Sequence, residues 1–287
     1  MTITQFQGIT FPTLLHAQWA LFFDDLLIPW TFRPAAFTLS GGCEYVPDFW
    51  LARHELWFQV GGEQWNDGDF EQWQEFTAAA DGAPCDAHTE FMPGMACDWH
   101  GRHTVAPLPE QWRAKDTLYS VGVLPAPEEM REAGPLSSEH DSMHSAHDDG
   151  YQWTSCPTCG FIGAEFDGRA DRLGCGHGDR ERDKNYRAND PRILAAYRLA
   201  RQTTSAQMNG TCARCTMKLN PGNLIAAGRP VGRRRWYHAD CLLASRRERY
   251  TSPQRLDQSA LPLRRVHQRQ ASPQRHAERL KYGQAGA

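Results

Sequence analysis

Apolar residues in the first sixty positions follow two rhythms. Between Thr13 and Leu27, in TLLHAQWALFFDDLL, the residues Leu14, Leu15, Trp19, Phe22, Phe23 and Leu26 recur at helical intervals and predict a helix with a broad apolar face. Pro29 ends it, since proline has no N–H to continue the hydrogen-bond ladder. Three runs that follow, AAFTL at 35–39, CEYVPDFWL at 43–51 and ELWFQV at 55–60, are short and rich in aromatic residues, and they read as strands. Gly41-Gly42 and the polar stretch 51–55 supply the turns. A polar, aromatic segment at 66–80 reads as a second helix, 81–115 is irregular, and TLYSVGVL at 117–124 reads as a further strand. Helix, three strands, helix, strand predicts a small α/β domain over 1–124.

The pattern then fades. Residues 125–150 are acidic, contain Pro and Ser, and hold almost no large apolar side chain, so they read as a linker. His140, His144 and His147 lie in it without an apolar frame to fix their geometry, and a solvated linker is the plainer reading. Near 190, Asp190 is a candidate N-cap and Pro191 a first helical residue for RILAAYRLARQ. From Ser245 the tail carries ten Lys/Arg against three Asp/Glu, with few apolar residues, and reads as disordered.

Charge divides the 287 residues in two: 1–150 holds 23 Asp/Glu and 6 Lys/Arg, whereas 151–287 holds 11 and 25. That asymmetry predicts separate modules, the basic one facing a polyanion such as DNA or RNA. Eight of the ten tryptophans precede residue 150, so the acidic half can build an aromatic core. No run of about eighteen apolar residues and no basic-then-apolar leader is present, which predicts a soluble, cytoplasmic protein without a membrane span.

Nine cysteines change the picture most. In a reducing compartment, cysteine pairs at two-residue spacing point to metal more often than to disulfides. Zinc takes four tetrahedral sulfur or imidazole ligands, and a Cys-x2-Cys turn presents two of them. Cys156, Cys159, Cys175 and His177 form a Cys-x2-Cys-x15-Cys-x-His set, and the intervening 161–174 alternates enough for a short hairpin, giving a zinc ribbon with its helix over 151–205. The bland alternative is a turn with two free thiols. Cys212, Cys215, His238 and Cys241 form Cys-x2-Cys-x22-His-x2-Cys over 210–244, with Trp236 and Tyr237 before the histidine and a turn at Asn220-Pro221-Gly222. A redox Cys-x2-Cys would need a thioredoxin-like strand–helix context that the sequence lacks. Two structural zinc ions are expected, since four protein ligands leave no open position. Cys43, Cys85 and Cys97 have no ligand spacing and read as ordinary thiols. Arg233, Arg234, Arg235, Arg246 and Arg247, beside the second set, are the candidate phosphate contacts.

The second set resembles the finger of poly(ADP-ribose) polymerase-type and related treble-clef proteins over 211–242, some of which sense DNA breaks while others bind proteins. The segments 11–34 and 45–62 resemble the core of PD-(D/E)xK nuclease-fold proteins of phages and bacteria, as does the CPxCG knuckle followed by Pro191, Ala196, Tyr197 and Arg201. That resemblance implies a restriction-endonuclease-like N-terminal domain, with a helix glutamate, a Pro-Asp and a (D/E)-x-Lys. Here Pro47-Asp48 is kept, His16 stands for the glutamate, and Gln59-Val60-Gly61 stands for the last motif. No lysine precedes Lys115, so only an arginine could supply a cation nearby, although Asp48 and His16 together could hold a weak ion. A plain α/β domain in which PDFW merely packs is the competing reading.

The expectation is a zinc-containing nucleic-acid-binding protein with a degenerate nuclease-like domain. Two rivals remain: a magnesium-dependent endonuclease with an altered site, and a zinc-stabilised adaptor that binds a protein through its acidic, tryptophan-rich half.

Overall fold

The sheet faces follow from side-chain alternation. In the computed structural model, which describes residues 3–39, 42–61, 66–80, 108–114, 116–121, 124, 143–145, 150–156, 158–166, 173, 175, 177, 190–228 and 235–251, the first elements are the strands β1 (Thr4–Phe6) and β2 (Ile9–Phe11) and the helix α1 (Leu14–Asp25). Then come β3 (Thr31–Phe32), β4 (Phe37–Thr38), β5 (Glu44–Tyr45), β6 (Phe49–Leu51), β7 (Leu56–Gly61), α2 (Asp67–Ala80), β8 (Asp116–Val121), β9 (Met143–Ser145), β10 (Gly150–Ser155) and β11 (Ile162–Phe166). The chain continues with α3 (Pro191–Arg201), β12 (Thr203–Ser205), β13 (Gly210–Thr211), β14 (Lys218–Leu219), β15 (Leu224–Gly228), β16 (Arg235–His238) and α4 (Ala239–Thr251).

The central sheet has the order β11-β10-β9-β8-β7-β6-β3 and is antiparallel except between β7 and β8. That parallel pair needs a crossover, and α2 lies in the connection. Phe49, Leu51, Leu56, Phe58, Val60 and Leu118 point to one face, where they meet Trp19, Phe22 and Phe23 of α1 and Tyr197 of α3. Trp50, Trp57 and Tyr119, one residue out of step, point to the other and meet Trp73 and Phe76 of α2. A sheet covered on both faces explains why its strands read as continuous apolar runs.

Helix α1 starts where Thr13 caps it, its hydroxyl accepting from the His16 N–H. Asp190 caps α3 by accepting from the Arg192 N–H at 2.8 Å, with Pro191 next, as the sequence predicts. The run 43–51 divides into β5 and β6, which belong to different sheets, because Pro47 cannot donate to a ladder. β9 lies inside the stretch read as a linker; strand pairing uses backbone N–H and C=O groups and needs no apolar pattern. Of the hairpin expected within 161–174, β11 is described and pairs with β10 across Cys156 and Cys159, while 167–172 lie outside the described residues. Helix α3 packs on α1, with Tyr197 and Phe22 ring centroids 4.5 Å apart, so the central core takes residues from both sides of the boundaries expected at 124 and 150. Residues 1–245 form one compact unit and 246–287 a second, of which 246–251 are described. Cys85, Cys97, His140, His147, Arg233, Arg234, most of 125–150 and the tail after 251 lie outside the described residues. Among those described, no helix is long and apolar enough to cross a membrane.

Candidate functional site

Both cysteine sets converge. The ligand atoms of Cys156, Cys159, Cys175 and His177 lie within 4.8 Å of one another, and so do those of Cys212, Cys215, His238 and Cys241. A zinc tetrahedron with Zn–S of about 2.3 Å has edges of roughly 3.5–3.8 Å, so both sets have the size and the thiolate and imidazole chemistry to hold the ion.

The first knuckle is the tip of the β10–β11 hairpin. Cys156 donates its N–H to Phe161 O at 2.7 Å and accepts from the Gly160 N–H at 2.8 Å. This turn puts Gly160 at φ +71, which a glycine adopts without a Cβ clash. Arg192 reaches the knuckle from α3, donating to Gly160 O at 2.9 Å and to Asp190 Oδ2 at 3.0 Å. Burial pushes the Asp190 carboxyl up, but hydrogen bonds from Arg192 and Ser155 outweigh it and hold the pKa below the usual value. Burial likewise opposes ionisation of Cys156, yet the backbone N–H groups of Cys159 and Thr158 lower its thiol overall, whereas burial and the neighbouring thiols push Cys175 up to about 11. A cation bound among these crowded sulfurs would take the place of their protons.

The second knuckle repeats the turn. Cys212 donates to Met217 O at 2.9 Å and accepts from the Thr216 N–H at 3.0 Å, with Thr216 at φ +61. His238 closes β16 and Cys241 lies in the first turn of α4. His238 Nδ1 is 3.4 Å from Cys215 Sγ, while Nε2 lies 3.2 Å from Lys218 O. A proton on Nε2, donated to that carbonyl, leaves the Nδ1 lone pair for the metal. Against burial, which raises it, the N–H groups of Cys215, Arg214 and His238 bring Cys212 down to about 6; burial and the neighbouring thiols push Cys241 up to about 12. Trp236 and Tyr237 pack with Leu219 and Ile225 beside Cys212, as their place in the sequence suggests.

His16, Asp48 and Gln59 also meet. Asp48 lies immediately before β6, and its buried carboxylate faces five nitrogen donors. Oδ2 faces Gln59 Nε2 at 2.8 Å, the Val60 N–H at 3.1 Å and His16 Nε2 at 3.1 Å. Oδ1 faces Arg33 Nε at 3.3 Å and Nη2 at 3.2 Å. Gln59 Oε1 accepts from Tyr45 Oη at 3.0 Å and from the Asp48 N–H at 3.1 Å, and Thr13 Oγ1 lies 2.7 Å from His16 Nδ1. Gly61 ends β7 and adds no side chain. The weak ion considered for Asp48 and His16 would have to displace these donors, because Arg33 holds Oδ1 while His16, Gln59 and Val60 face Oδ2. Sequence reading did not place Arg33, Tyr45 or Thr13 at this site; the signal for Arg33 was scarcity, since Arg33 and Arg53 are the only Lys/Arg among the first hundred residues.

Of the candidate phosphate contacts, Arg235 is exposed at the start of β16, and Arg246 is half-buried and Arg247 exposed on α4. Cys43 is an exposed free thiol outside both clusters. Comparison with protein-family models, with curated proteins and with solved structures finds no match to the chain.

Proposed function

We propose that this is a two-zinc nucleic-acid-binding protein whose N-terminal domain is a nuclease-like fold without hydrolytic chemistry. The observation that carries the second half is the Asp48 carboxylate, whose oxygens are taken by protein donors, Arg33 among them. A divalent ion that activates water needs open anionic ligands, and magnesium wants more than one. The order α1, β3, β6, β7, α2, β8, with Pro47-Asp48 just before β6 and Gln59 on its partner β7, supports the relation to PD-(D/E)xK domains. The closed four-ligand sets suit structural zinc. The excess of 25 Lys/Arg over 11 Asp/Glu in 151–287, with Arg235 and Arg247 exposed, supports phosphate contact.

The test is incubation of the zinc-loaded full chain with labelled DNA and RNA, with and without magnesium, across a salt series. Binding that falls steeply with salt and is weakened by Arg235→Glu, with the nucleic acid left intact, is expected. Magnesium-dependent cleavage that Asp48→Asn abolishes would promote the endonuclease reading. Salt-insensitive binding, or none, would end the nucleic-acid reading.

A further inference from the structure

Arg33 is placed at Asp48 by more than its charge. A buried carboxylate needs a compensating partner, and Asp48 side-chain exposure is 1% against 46% for Arg33, so the guanidinium is the solvent-side wall of the site. The same residue also donates its backbone N–H to Asp48 O at 2.7 Å. To do both, Arg33 takes φ +47, a left-handed conformation that disfavours any residue with a Cβ. Its guanidinium carbon lies 5.1 Å from the Phe32 ring centroid, so the side chain is braced from a second side. Behind the carboxylate, His16 is fixed through Nδ1 by Thr13 and turns Nε2 toward Oδ2.

We propose that Arg33 is a built-in counter-ion that closes Asp48 to divalent cations, and that removing its charge frees Asp48 Oδ1, beside His16, for a cation. A metal ion and a guanidinium cannot share Oδ1, because two cations about 4 Å apart repel strongly in a partly desolvated site. Without Arg33, Oδ1 of the buried carboxylate loses its guanidinium partner on the solvent side, and an anionic oxygen with water as its co-ligands is a donor set that manganese accepts. This goes beyond the nucleic-acid reading and stands whether or not the protein binds a polyanion.

The experiment uses the zinc-loaded full chain and Mn2+ alone, with uptake read from the loss of the free-ion electron paramagnetic resonance signal. Wild type and Asp48→Asn should take up the same amount, which removes any contribution from other acidic groups. Arg33→Met, which keeps an apolar stem, should take up one further equivalent, and Arg33→Met with Asp48→Asn should lose it. Arg33→Lys keeps a charge and should behave as wild type. An equivalent bound by wild type and lost in Asp48→Asn overturns the proposal, as does a folded Arg33→Met that gains none or an Arg33→Lys that gains one. Should Arg33→Met fail to fold, wild type still decides: the His16 ring resonances, assigned with His16→Gln, should stay sharp as Mn2+ is added, and their selective broadening would refute the closure.

Discussion

Gly160 and Thr216 occupy the same place in two equivalent turns, each four residues after the first cysteine, and each has a positive φ. A left-handed backbone costs an L-residue about 1–2 kcal/mol. Thr216→Gly should therefore stabilise the finger by about 1 kcal/mol, read as a raised midpoint in denaturant. Gly160→Ala should destabilise by a similar or larger amount, because its Cβ would also meet Arg192 Nη2 at 3.3 Å. His54 offers a pH test. Burial, joined by the Arg53 charge, lowers its pKa in spite of a hydrogen bond to Ile162 O. The folded state thus favours the neutral ring, so this contribution is complete above about pH 6.5 and is lost as pH falls below it toward the lower folded value. Thermal unfolding at pH 5 and pH 7.5 should show a larger acid loss for wild type than for His54→Phe, which keeps a ring beside Phe161 and Trp153. Equal losses would remove His54 from the account.

Helix α3 links the first knuckle to the core. Its N-terminus is held by Asp190 and Arg192 at Gly160, and its Tyr197 is fully buried against Trp19 and Phe22 of α1. Asp190→Ala removes the cap and the anchor of Arg192 together, so the expected loss is about 1–2 kcal/mol, at the upper end for a cap. Zinc should also leave the first cluster faster, measured with a chromophoric chelator, while the second cluster keeps its rate. Unchanged release from both would mean that the Arg192 bridge contributes nothing to the knuckle. The pairing of Gln5 with Gly222, N–H to O at 2.7 Å, makes a similar link from the N-terminal hairpin to the finger.

For residues 1–245 these links imply a shared fate. Leu224 and Leu243, which flank the finger's ligands His238 and Cys241, belong to the same core as Trp19 and Phe58. Metal analysis of the purified chain should find about two zinc equivalents, and Cys215→Ser should lose one. Exhaustive chelation should lower the unfolding temperature measured by near-ultraviolet circular dichroism of the core tryptophans, because removing a ligand bound only by the folded state lowers its stability. Fewer than two equivalents in folded protein would refute the two-site assignment.

How much of this was legible from sequence depended on range. Helix α1, the cap at Asp190-Pro191, strand β7 and both ligand sets rest on periodicity, short-range turn chemistry or cysteine spacing, and each could be read directly. Even Gln59, opposite Asp48, was placed because a motif joined them. The partners that complete the sites obey no spacing rule. Arg33 reaches Asp48 across 15 positions, Arg192 reaches Gly160 across 32, and Gln5 meets Asn223 across 218. β9 was hidden for a related reason, since backbone pairing leaves no apolar signature. The sequence by itself determined which groups could bind metal and where the apolar faces lie, because those properties repeat locally along the chain. Only the tertiary structure decided that Arg33 is the counter-ion of Asp48, because that outcome depends on which distant charge folding brings to a buried carboxylate.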